Sequence, residues 1–186
     1  MPIIKIKTFN EKTAKQFELA LKELMKYKPI AIILDLRNNP GGLLEPAIGV
    51  ASILLPKDAT IIQIYYKNNA TDSITTHSNM LIKQYVNIPI IVLINKGSAS
   101  ASEVLTAAII ENNKGIAIGE TSFGKGVIQD IIPLKSIPGT AIKLTVAKYK
   151  TPKGNEIDKV GIKPEIECGK DCDIIRTAEK AIASYY

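Results

Sequence analysis

The stretch IIVLINKGSASASEVLTAAII, residues 90–110, decides how this chain folds. It begins with an apolar run, passes through a turn that contains glycine, and ends in a run rich in alanine and aliphatic residues. The first run predicts a strand, Ile90–Asn95, and the last predicts a helix, Ser100–Asn112. A strand that leads through a short turn into a helix is the unit from which α/β domains are built.

The same alternation extends over most of the 186 residues, so we expect one α/β domain spanning residues 1–186. Residues 68–87 are polar and predict an irregular segment with room for one short helix. Further strands are predicted at Ile3–Phe9, Ile30–Leu36, Thr60–Tyr66, Gly115–Gly119, Gly126–Leu134 and Thr140–Tyr149. Further helices are predicted at Asn10–Tyr27, from the residues after Gly42 to Leu55, and at Asp173–Tyr186.

The composition is that of an ordinary globular protein with a lysine-rich surface. Hydrophobic residues make up 46% of the chain and charged residues 23%. The net charge is +6, but Arg37 and Arg176 are the only arginines, and the lysines are scattered along the chain. Because recognition of phosphates and bases favours arginine, we predict no nucleic-acid partner. The longest apolar runs are too short to span a bilayer.

Two cysteines, Cys168 and Cys172, are separated by three residues. A structural zinc site would need more ligands, and His77, the only histidine, lies far away in sequence. A local disulfide, which would suggest an oxidising compartment, and two free surface thiols both fit the pattern.

Three turns marked by glycine follow three apolar strands, and the carboxyl ends of strands are where α/β proteins assemble their sites. The first turn is Arg37–Gly42, the second is Asn95–Ser100 and the third is Glu120–Gly126. Ser100 ends the second turn at the start of a predicted helix, whose amides favour negative charge, as an acyl-transfer oxyanion requires. Ser100 and Glu103 also match a capping box, in which the serine only caps the helix.

The third turn carries Lys125 between two glycines. Gly119 and Gly124-Lys125 fit the spacing of a phosphate-binding loop, but Gly126 stands where that motif needs Ser or Thr. A strand pattern follows in place of the required helix, so the sequence disfavours a nucleotide site. If Lys125 is packed into a partly dry pocket, burial lowers its pKa, and the neutral amine can accept a proton from a serine.

Two further features bear on the chemistry. Gly41-Gly42 in the first turn allows the backbone to approach a substrate and supply a second oxyanion donor, although the pair fits a simple tight turn equally well. A Ser-His-Asp triad would require His77, which lies in a polar stretch without a predicted scaffold. We interpret His77 as an exposed loop residue.

Three blocks of the sequence together resemble the C-terminal processing, or tail-specific, peptidases. The blocks are LDLRNNPGG at residues 34–42, GSASASE at 97–103 and GETSFGKGVIQ at 119–129. Their order and spacing also match, and the resemblance extends from Ile4 to Ile166. It implies a ClpP/crotonase-like α/β core with a mixed β-sheet and surrounding helices, and a serine endopeptidase that cleaves polypeptides near their C-termini.

The resemblance also assigns roles to individual residues. It implies that Ser100 is the nucleophile, that Lys125 is the general base and that Gln129 orients the lysine. It implies an oxyanion hole formed by the backbone amides of Gly42 and Ala101. The neighbouring serines at positions 98 and 102 fall on positions that are not nucleophilic in the family.

Substrates, cofactors and location follow from the same resemblance. It implies polypeptide substrates with apolar or small C-terminal residues, no metal or cofactor, and an extracytoplasmic location in the periplasm or cell envelope. Peripheral association with a membrane and the oligomeric state are left open. The family usually carries a PDZ domain before this core, whereas this sequence opens at the core's first strand, so we expect a peptidase core alone. The alternative is a non-catalytic module that binds peptides or apolar ligands on the same core.

Overall fold

The computed structural model describes residues 1–67, 70–76, 88–134, 136–137 and 139–183. Strands and helices alternate along most of this part of the chain. The strands are β1 (Ile3–Lys5), β2 (Ile32–Asp35), β3 (Thr60–Tyr66), β4 (Thr71–Thr75), β5 (Ile90–Ile94), β6 (Gly115–Gly119), β7 (Val127–Pro133), β8 (Ala141–Lys150) and β9 (Ile166–Glu167). The helices are α1 (Thr13–Met25), α2 (Leu44–Leu54), α3 (Ala101–Glu111) and α4 (Ile174–Ala183).

A parallel sheet with the strand order β1-β2-β5-β6-β9 forms the centre of the fold. Its central strands are buried on both faces. Ile90, Val92 and Ile94 of β5 pack into a large core cluster with residues of α1, α2 and α3. Ile91 and Leu93 point the other way and pack against residues of α4. Burial on both faces explains why this strand is apolar throughout and does not alternate.

An antiparallel sheet with the strand order β4-β3-β8-β7 lies beside the parallel one. Ile62 and Ile64 of β3, together with Ala147 and Tyr149 of β8, join the large core cluster. Further along, β7 and β8 project from the core, and residues 129–133 and 141–145 are exposed. The predicted α/β class is confirmed, with the parallel and antiparallel strands divided between two sheets.

The prediction of an irregular segment at residues 68–87 is wrong in its first part. Thr71–Thr75 forms β4, which pairs antiparallel with β3, and the amide of Tyr66 donates to the carbonyl of Ala70 at 2.9 Å. The polar sequence of β4 gave no strand prediction, although its β-branched residues Thr71, Ile74 and Thr75 favour a strand. Residues 77–87, including His77, lie outside the described residues.

The C-terminal segment is fixed by a disulfide between Cys168 and Cys172, one of the two states that the sequence left open. The amide of Cys168 also donates to the carbonyl of Gly119 at 2.8 Å, which attaches this segment to the end of β6. In the described part of the chain, none of the helices combines the length and apolarity needed to cross a membrane.

The topology brings the three turns to one edge of the parallel sheet. In the register of this sheet, Asp35 at the end of β2 pairs with Leu93, and Ile94 at the end of β5 pairs with Gly119. Strands β2, β5 and β6 are therefore neighbours whose carboxyl ends lie side by side. Each of these ends leads into one of the three turns, so residues that are far apart in sequence meet there.

Candidate active site

The second turn is hydrogen-bonded to both of the other turns. The amide of Ala99 donates to the carbonyl of Asn39 in the first turn at 3.0 Å. The amide of Phe123 in the third turn donates to the carbonyl of Ser98 at 2.9 Å. The three turns therefore form one bonded unit, as expected from their positions at adjacent strand ends.

Ser100 has an unusual backbone conformation at the junction between the second turn and α3. Its φ is 56° and its ψ is −116°, a region that residues with side chains rarely occupy and that costs about 1–3 kcal/mol. The strain is held by the predicted capping box, since the amide of Ser100 donates to the carboxylate of Glu103 at 2.8 Å. Capping and presentation of the side chain to a cleft are thus combined in one serine.

The three serines of the second block have different surroundings. Ser98 is fully buried, and its hydroxyl donates to the carbonyl of Leu36 at 2.9 Å. Ser102 is also fully buried, and its hydroxyl donates to the carbonyl of Asn39 at 3.0 Å. Ser100 alone of the three is only half-buried. Two serines therefore attach the second turn and α3 to Leu36 and to the first turn, and the third lines the cleft.

Gly41 shows how closely the first turn approaches Ser100. A Cβ atom at position 41 would lie 2.7 Å from the carbonyl oxygen of Ala99 and 2.8 Å from the Cβ of Ser100. The φ of Gly41 is +97°, which also disfavours any other residue. Glycine at this position thus lets the two turns pack backbone against backbone.

The carboxylate of Glu103 is fully buried and joins the second turn to the third. One oxygen, Oε1, accepts hydrogen bonds from the hydroxyl of Ser122 at 2.5 Å and the amide of Gly124 at 2.7 Å. The other oxygen, Oε2, accepts from the amides of Ser100 at 2.8 Å and Lys125 at 2.9 Å. One side chain therefore fixes the backbone at both Ser100 and Lys125. The sequence indicated Glu103 only as part of a capping box.

A cleft of about 290 Å³ lies over these turns. Ser100 and Lys125 both line it. So do Gly42 and Ala101, whose backbone amides have no hydrogen-bond acceptor among the described residues. Two such N–H groups beside a serine hydroxyl can bind a developing oxyanion. Together with Gln129, the structure thus brings all five predicted site residues to one cleft.

Lys125 and Gln129 line the same cleft, Lys125 partly buried and Gln129 exposed on β7. Among the described residues, no carboxylate forms a salt bridge with the side chain of Lys125. The pairing of β7 with β8 shifts in register between Ile128 and Gln129. No hydrogen bond joins Gln129 to Lys125 within the described residues, and its orienting role stays a prediction.

The third turn differs from the phosphate-binding loops of nucleotide-binding proteins because it leads into strand β7 and not into a helix. Val127–Pro133 follows Gly126 directly as a strand, as the sequence predicted. The turn therefore does not lead into a helix N-terminus that could hold a phosphate.

A salt bridge stabilises the start of the first turn, where the chain leaves β2. Asp35 is buried, and its carboxylate accepts hydrogen bonds from Nε and Nη2 of Arg37, both at 2.9 Å. Burial acts to raise the pKa of Asp35, but the hydrogen bonds and charge of Arg37 outweigh it, so the pKa of this carboxyl is lowered. The pair fixes the chain as it leaves β2 and enters the turn.

Tyr149 near the end of β8 is a cleft residue that the sequence did not indicate. It is 3% exposed, and its hydroxyl donates a hydrogen bond to the backbone carbonyl of Lys125. A tyrosine in a strand carries no local signal of such a contact, because the contact depends on the pairing of β8 with β3 and β7.

The cleft presents a strained serine at a strand–turn–helix junction and a lysine, together with two amides that no described residue accepts from. These are the groups that acyl transfer requires. The sequence pattern of peptidase family S41 matches residues 1–168, and the chain belongs to this family.

Individual relatives agree with this assignment. The chain is 40% identical over 166 residues to carboxyl-terminal-processing peptidase 3, chloroplastic, of Arabidopsis thaliana, which covers 89% of this chain and 31% of that protein. It is 40% identical over 164 residues to carboxy-terminal processing protease CtpA of Bacillus subtilis, covering 88% and 34%. The chain thus spans about a third of the length of these curated relatives.

Solved structures confirm the predicted fold. The photosystem II D1 C-terminal processing protease superposes with a TM-score of 0.81 at 34% identity, covering 90% of this chain and 42% of that one. The tricorn protease superposes with a TM-score of 0.54 at 17% identity, covering 98% of this chain and 17% of that one, and supports the fold alone. The ClpP/crotonase-like core is therefore the fold of this chain.

Proposed function

We propose that this chain is the catalytic core of a serine endopeptidase that cleaves polypeptides near their C-termini. The observation that carries the proposal is the single cleft lined by Ser100, Lys125 and the free amides of Gly42 and Ala101. Membership of peptidase family S41, and the names of relatives that process carboxyl termini, support the same reaction. The non-catalytic binding module has no observation that favours it.

The reaction begins when the hydroxyl oxygen of Ser100 attacks the carbonyl carbon of a peptide bond. The neutral amine of Lys125 accepts the hydroxyl proton, and the amides of Gly42 and Ala101 bind the oxyanion that forms. The tetrahedral intermediate collapses, its C–N bond breaks, and Lys125 gives its proton to the leaving amine. Water then attacks the ester carbon on Ser100, and Lys125 takes a proton from this water. The ester C–O bond breaks, Lys125 returns the proton to the oxygen of Ser100, and the product leaves with a new carboxyl terminus.

The residues that line the cleft favour substrates with apolar or small side chains near the cleaved bond. Leu44 of α2, Val104 of α3 and Ile128 of β7 line it, and these aliphatic side chains favour apolar substrate groups. Gln129 provides an amide at the same wall, where it could bind the backbone of the substrate or orient Lys125. The proposed substrates are therefore unfolded polypeptide ends that can enter a cleft lined by these aliphatic side chains.

The proposed location is extracytoplasmic. The disulfide between Cys168 and Cys172 supports an oxidising compartment, since such bonds are rare in the cytosol. A free-thiol measurement on protein purified from its native compartment tests this point. Two free thiols per chain in the native compartment would contradict it.

The nucleophile and the base are tested by labelling with a fluorophosphonate probe and by cleavage of an unfolded protein. Ser100→Ala should abolish both, because loss of such a nucleophile costs on the order of 10⁶ in rate. Lys125→Arg should be as inactive as Lys125→Ala, because arginine stays protonated and cannot accept the proton. The matched control is Lys96→Arg, since the Lys96 side chain is 83% exposed and does not line the cleft.

Further variants separate the alternatives. Ser102→Ala should keep the labelling of Ser100, because the hydroxyl of Ser102 is bonded inside the protein. His77→Ala should also be labelled normally. An inactive His77→Ala beside an active Lys125→Ala would replace the dyad with a triad. A wild-type chain that binds peptides but is never labelled at Ser100 would favour the binding module.

A further inference from the structure

Lys143 on β8 lines the same cleft as Ser100 and Lys125 but lies further along the antiparallel sheet. In the pairing of β7 with β8 it lies opposite Ile131, which also lines the cleft, so the two side chains are neighbours on one face. Ile131 follows Lys125 by six residues in the sequence. Because an extended chain advances about 3.3 Å per residue, the Ile131–Lys143 pair is at most roughly 20 Å from Lys125, within the reach of a bound polypeptide.

Lys143 differs from the other lysines of β8 in having no acidic partner. Nζ of Lys148 lies 3.7 Å from Oδ2 of Asp158, and Nζ of Lys150 lies 2.9 Å from Oε1 of Glu156. For Lys143, no aspartate or glutamate in the described part of the chain is within salt-bridge distance. Lys148 and Lys150 do not line the cleft. The lysine of β8 without a carboxylate partner is thus the one that a substrate in the cleft can reach.

The part of the cleft lining that the structure describes carries positive charge and no carboxylate. Lys125 and Lys143 are its charged members. The carboxylate of Glu103 is fully buried and accepts four hydrogen bonds, so its charge is already compensated inside the protein. The proposed reaction also needs Lys125 as a neutral amine, which leaves Lys143 as the positive charge that a substrate meets. A cleft with charge of one sign attracts groups of the opposite sign.

We propose that Lys143 binds a carboxylate of the substrate and thereby selects polypeptides that carry negative charge close to the cleaved bond. The inference rests on the proposed function and names a chemical class of substrate for it. The carboxylate is either an aspartate or glutamate side chain or the terminal carboxylate of the polypeptide, since both present the same group to an ammonium. Because an extended substrate also advances about 3.3 Å per residue, this group lies within about six residues of the cleaved bond.

The test compares matched peptides that differ by one charge. One series places a single glutamate at successive positions on either side of the cleaved bond, and its reference series has glutamine at the same positions, all with amidated C-termini. A second pair has no acidic side chain and differs only in a free or an amidated C-terminus. For each peptide, kcat/KM of the full chain is measured, together with the peptide concentration that halves fluorophosphonate labelling of Ser100.

We expect the wild type to prefer the best-placed carboxylate by about twofold to fivefold, the range of an exposed ion pair. The preference should fall at high salt, which screens exposed charges. Lys143→Gln should remove it, and Lys143→Glu should reverse it in favour of peptides with lysine at that position. The matched control is Lys148→Gln on the same strand, which removes an equal charge outside the cleft and should keep the wild-type preference.

The outcomes separate the two sources of the carboxylate. If a preference for glutamate disappears in Lys143→Gln, the site binds acidic side chains. If the advantage of a free C-terminus disappears instead, the site binds the terminal carboxylate, and either result supports the inference. Equal values for charged and neutral peptides in the wild type would overturn it. So would a preference that is kept in Lys143→Gln or lost equally in Lys148→Gln.

Failure of the proposed function would look different. A wild type that is not labelled at Ser100, or label that persists in Ser100→Ala, would refute the peptidase itself. Labelling that depends on Ser100, without any charge preference among the peptides, would leave the peptidase in place and refute only the role of Lys143. The peptide comparison and its salt dependence are measured on the unmutated chain, so the test stays decisive even if a variant does not fold.

Discussion

Replacing Glu103 with glutamine should loosen the two turns that carry Ser100 and Lys125. The change keeps the shape of the side chain but converts one carboxylate oxygen into an NH₂ group, which donates and cannot accept. Each oxygen of Glu103 receives at least one backbone N–H: Gly124 at Oε1, and Ser100 and Lys125 at Oε2. Whichever way the amide is turned, at least one buried N–H then faces another donor.

The magnitude follows from counting the affected bonds. The less harmful orientation places the NH₂ at Oε1, where it opposes the amide of Gly124 and removes the acceptor of the Ser122 hydroxyl. A buried donor without an acceptor costs about 1–3 kcal/mol, and each bond to a charged group contributes about 1.5–3 kcal/mol. We therefore expect Glu103→Gln to lower the free energy of unfolding by about 3–5 kcal/mol. For a chain of this size that corresponds to a fall in Tm of roughly 6–20 °C.

Urea denaturation gives the free energy of unfolding, and the fluorophosphonate probe gives the reactivity of Ser100 at a temperature where the variant is folded. The control is Glu111→Gln on the same helix, whose carboxylate accepts the amide of Lys153 at 2.6 Å and the side chain of Asn155 at 2.8 Å near the surface. That variant should lose less than about 1 kcal/mol, as is usual for surface changes. A loss below about 1 kcal/mol in Glu103→Gln, with normal labelling, would refute the reasoning.

Two further predictions concern other parts of the fold. Gly41→Ala should slow labelling of Ser100 at least tenfold, because the new Cβ would lie 2.8 Å from the Cβ of Ser100. The control Gly139→Ala should label normally, since Gly139 has a φ of +80° but no atom within 4 Å of the added Cβ. If both variants were slowed equally, backbone strain alone would be the cause. Burial lowers the pKa of Lys114 to about 8 in the folded chain, whereas a lysine in the unfolded chain titrates near 10.4. The unfolded chain therefore binds more protons between these two pH values, and the free energy of unfolding of the wild type should rise from about pH 8 to 10.4. Lys114→Met should lack this rise, so the difference in free energy of unfolding between the two proteins should change by on the order of 1–3 kcal/mol between pH 7 and pH 10 in urea denaturation. A difference that stays constant with pH would contradict the assignment.

The sequence predicted the central strands β2 and β5 because burial on both faces leaves a continuous apolar run. Thr60–Tyr66 and Gly115–Gly119 were predicted with the bounds that the structure has. Strand β4 was missed because it lies at a sheet edge and is polar, and β9 was missed because its two residues, Ile166–Glu167, are too few to form a pattern. The division of the strands between two sheets depends on pairing partners far apart in the chain, which no local pattern encodes.

The candidate site was predictable to a different degree. The three turns could be located from glycine positions after apolar strands, but the choice of Ser100 over a simple cap depended on the resemblance of three blocks together. The structure explains the ambiguity, since Ser100 does belong to a capping box with Glu103. The wider role of Glu103 and the presence of Tyr149 required the third turn and β8 to be placed beside α3, and that placement is a property of the topology.

The permissive glycines around Lys125 are held by the rest of this core. The carbonyl of Gly124 accepts the amide of Lys159 at 2.8 Å, and its amide is bound by the carboxylate of Glu103. A Cβ at Gly126 would lie 2.4 Å from the amide nitrogen of Asp158, so this glycine is packed directly against the same segment. Fixing the backbone of one residue costs about 1–2 kcal/mol, and these contacts meet that cost during folding. Substrate binding then does not have to order the turn, so the binding energy of the substrate is available to position the reacting groups.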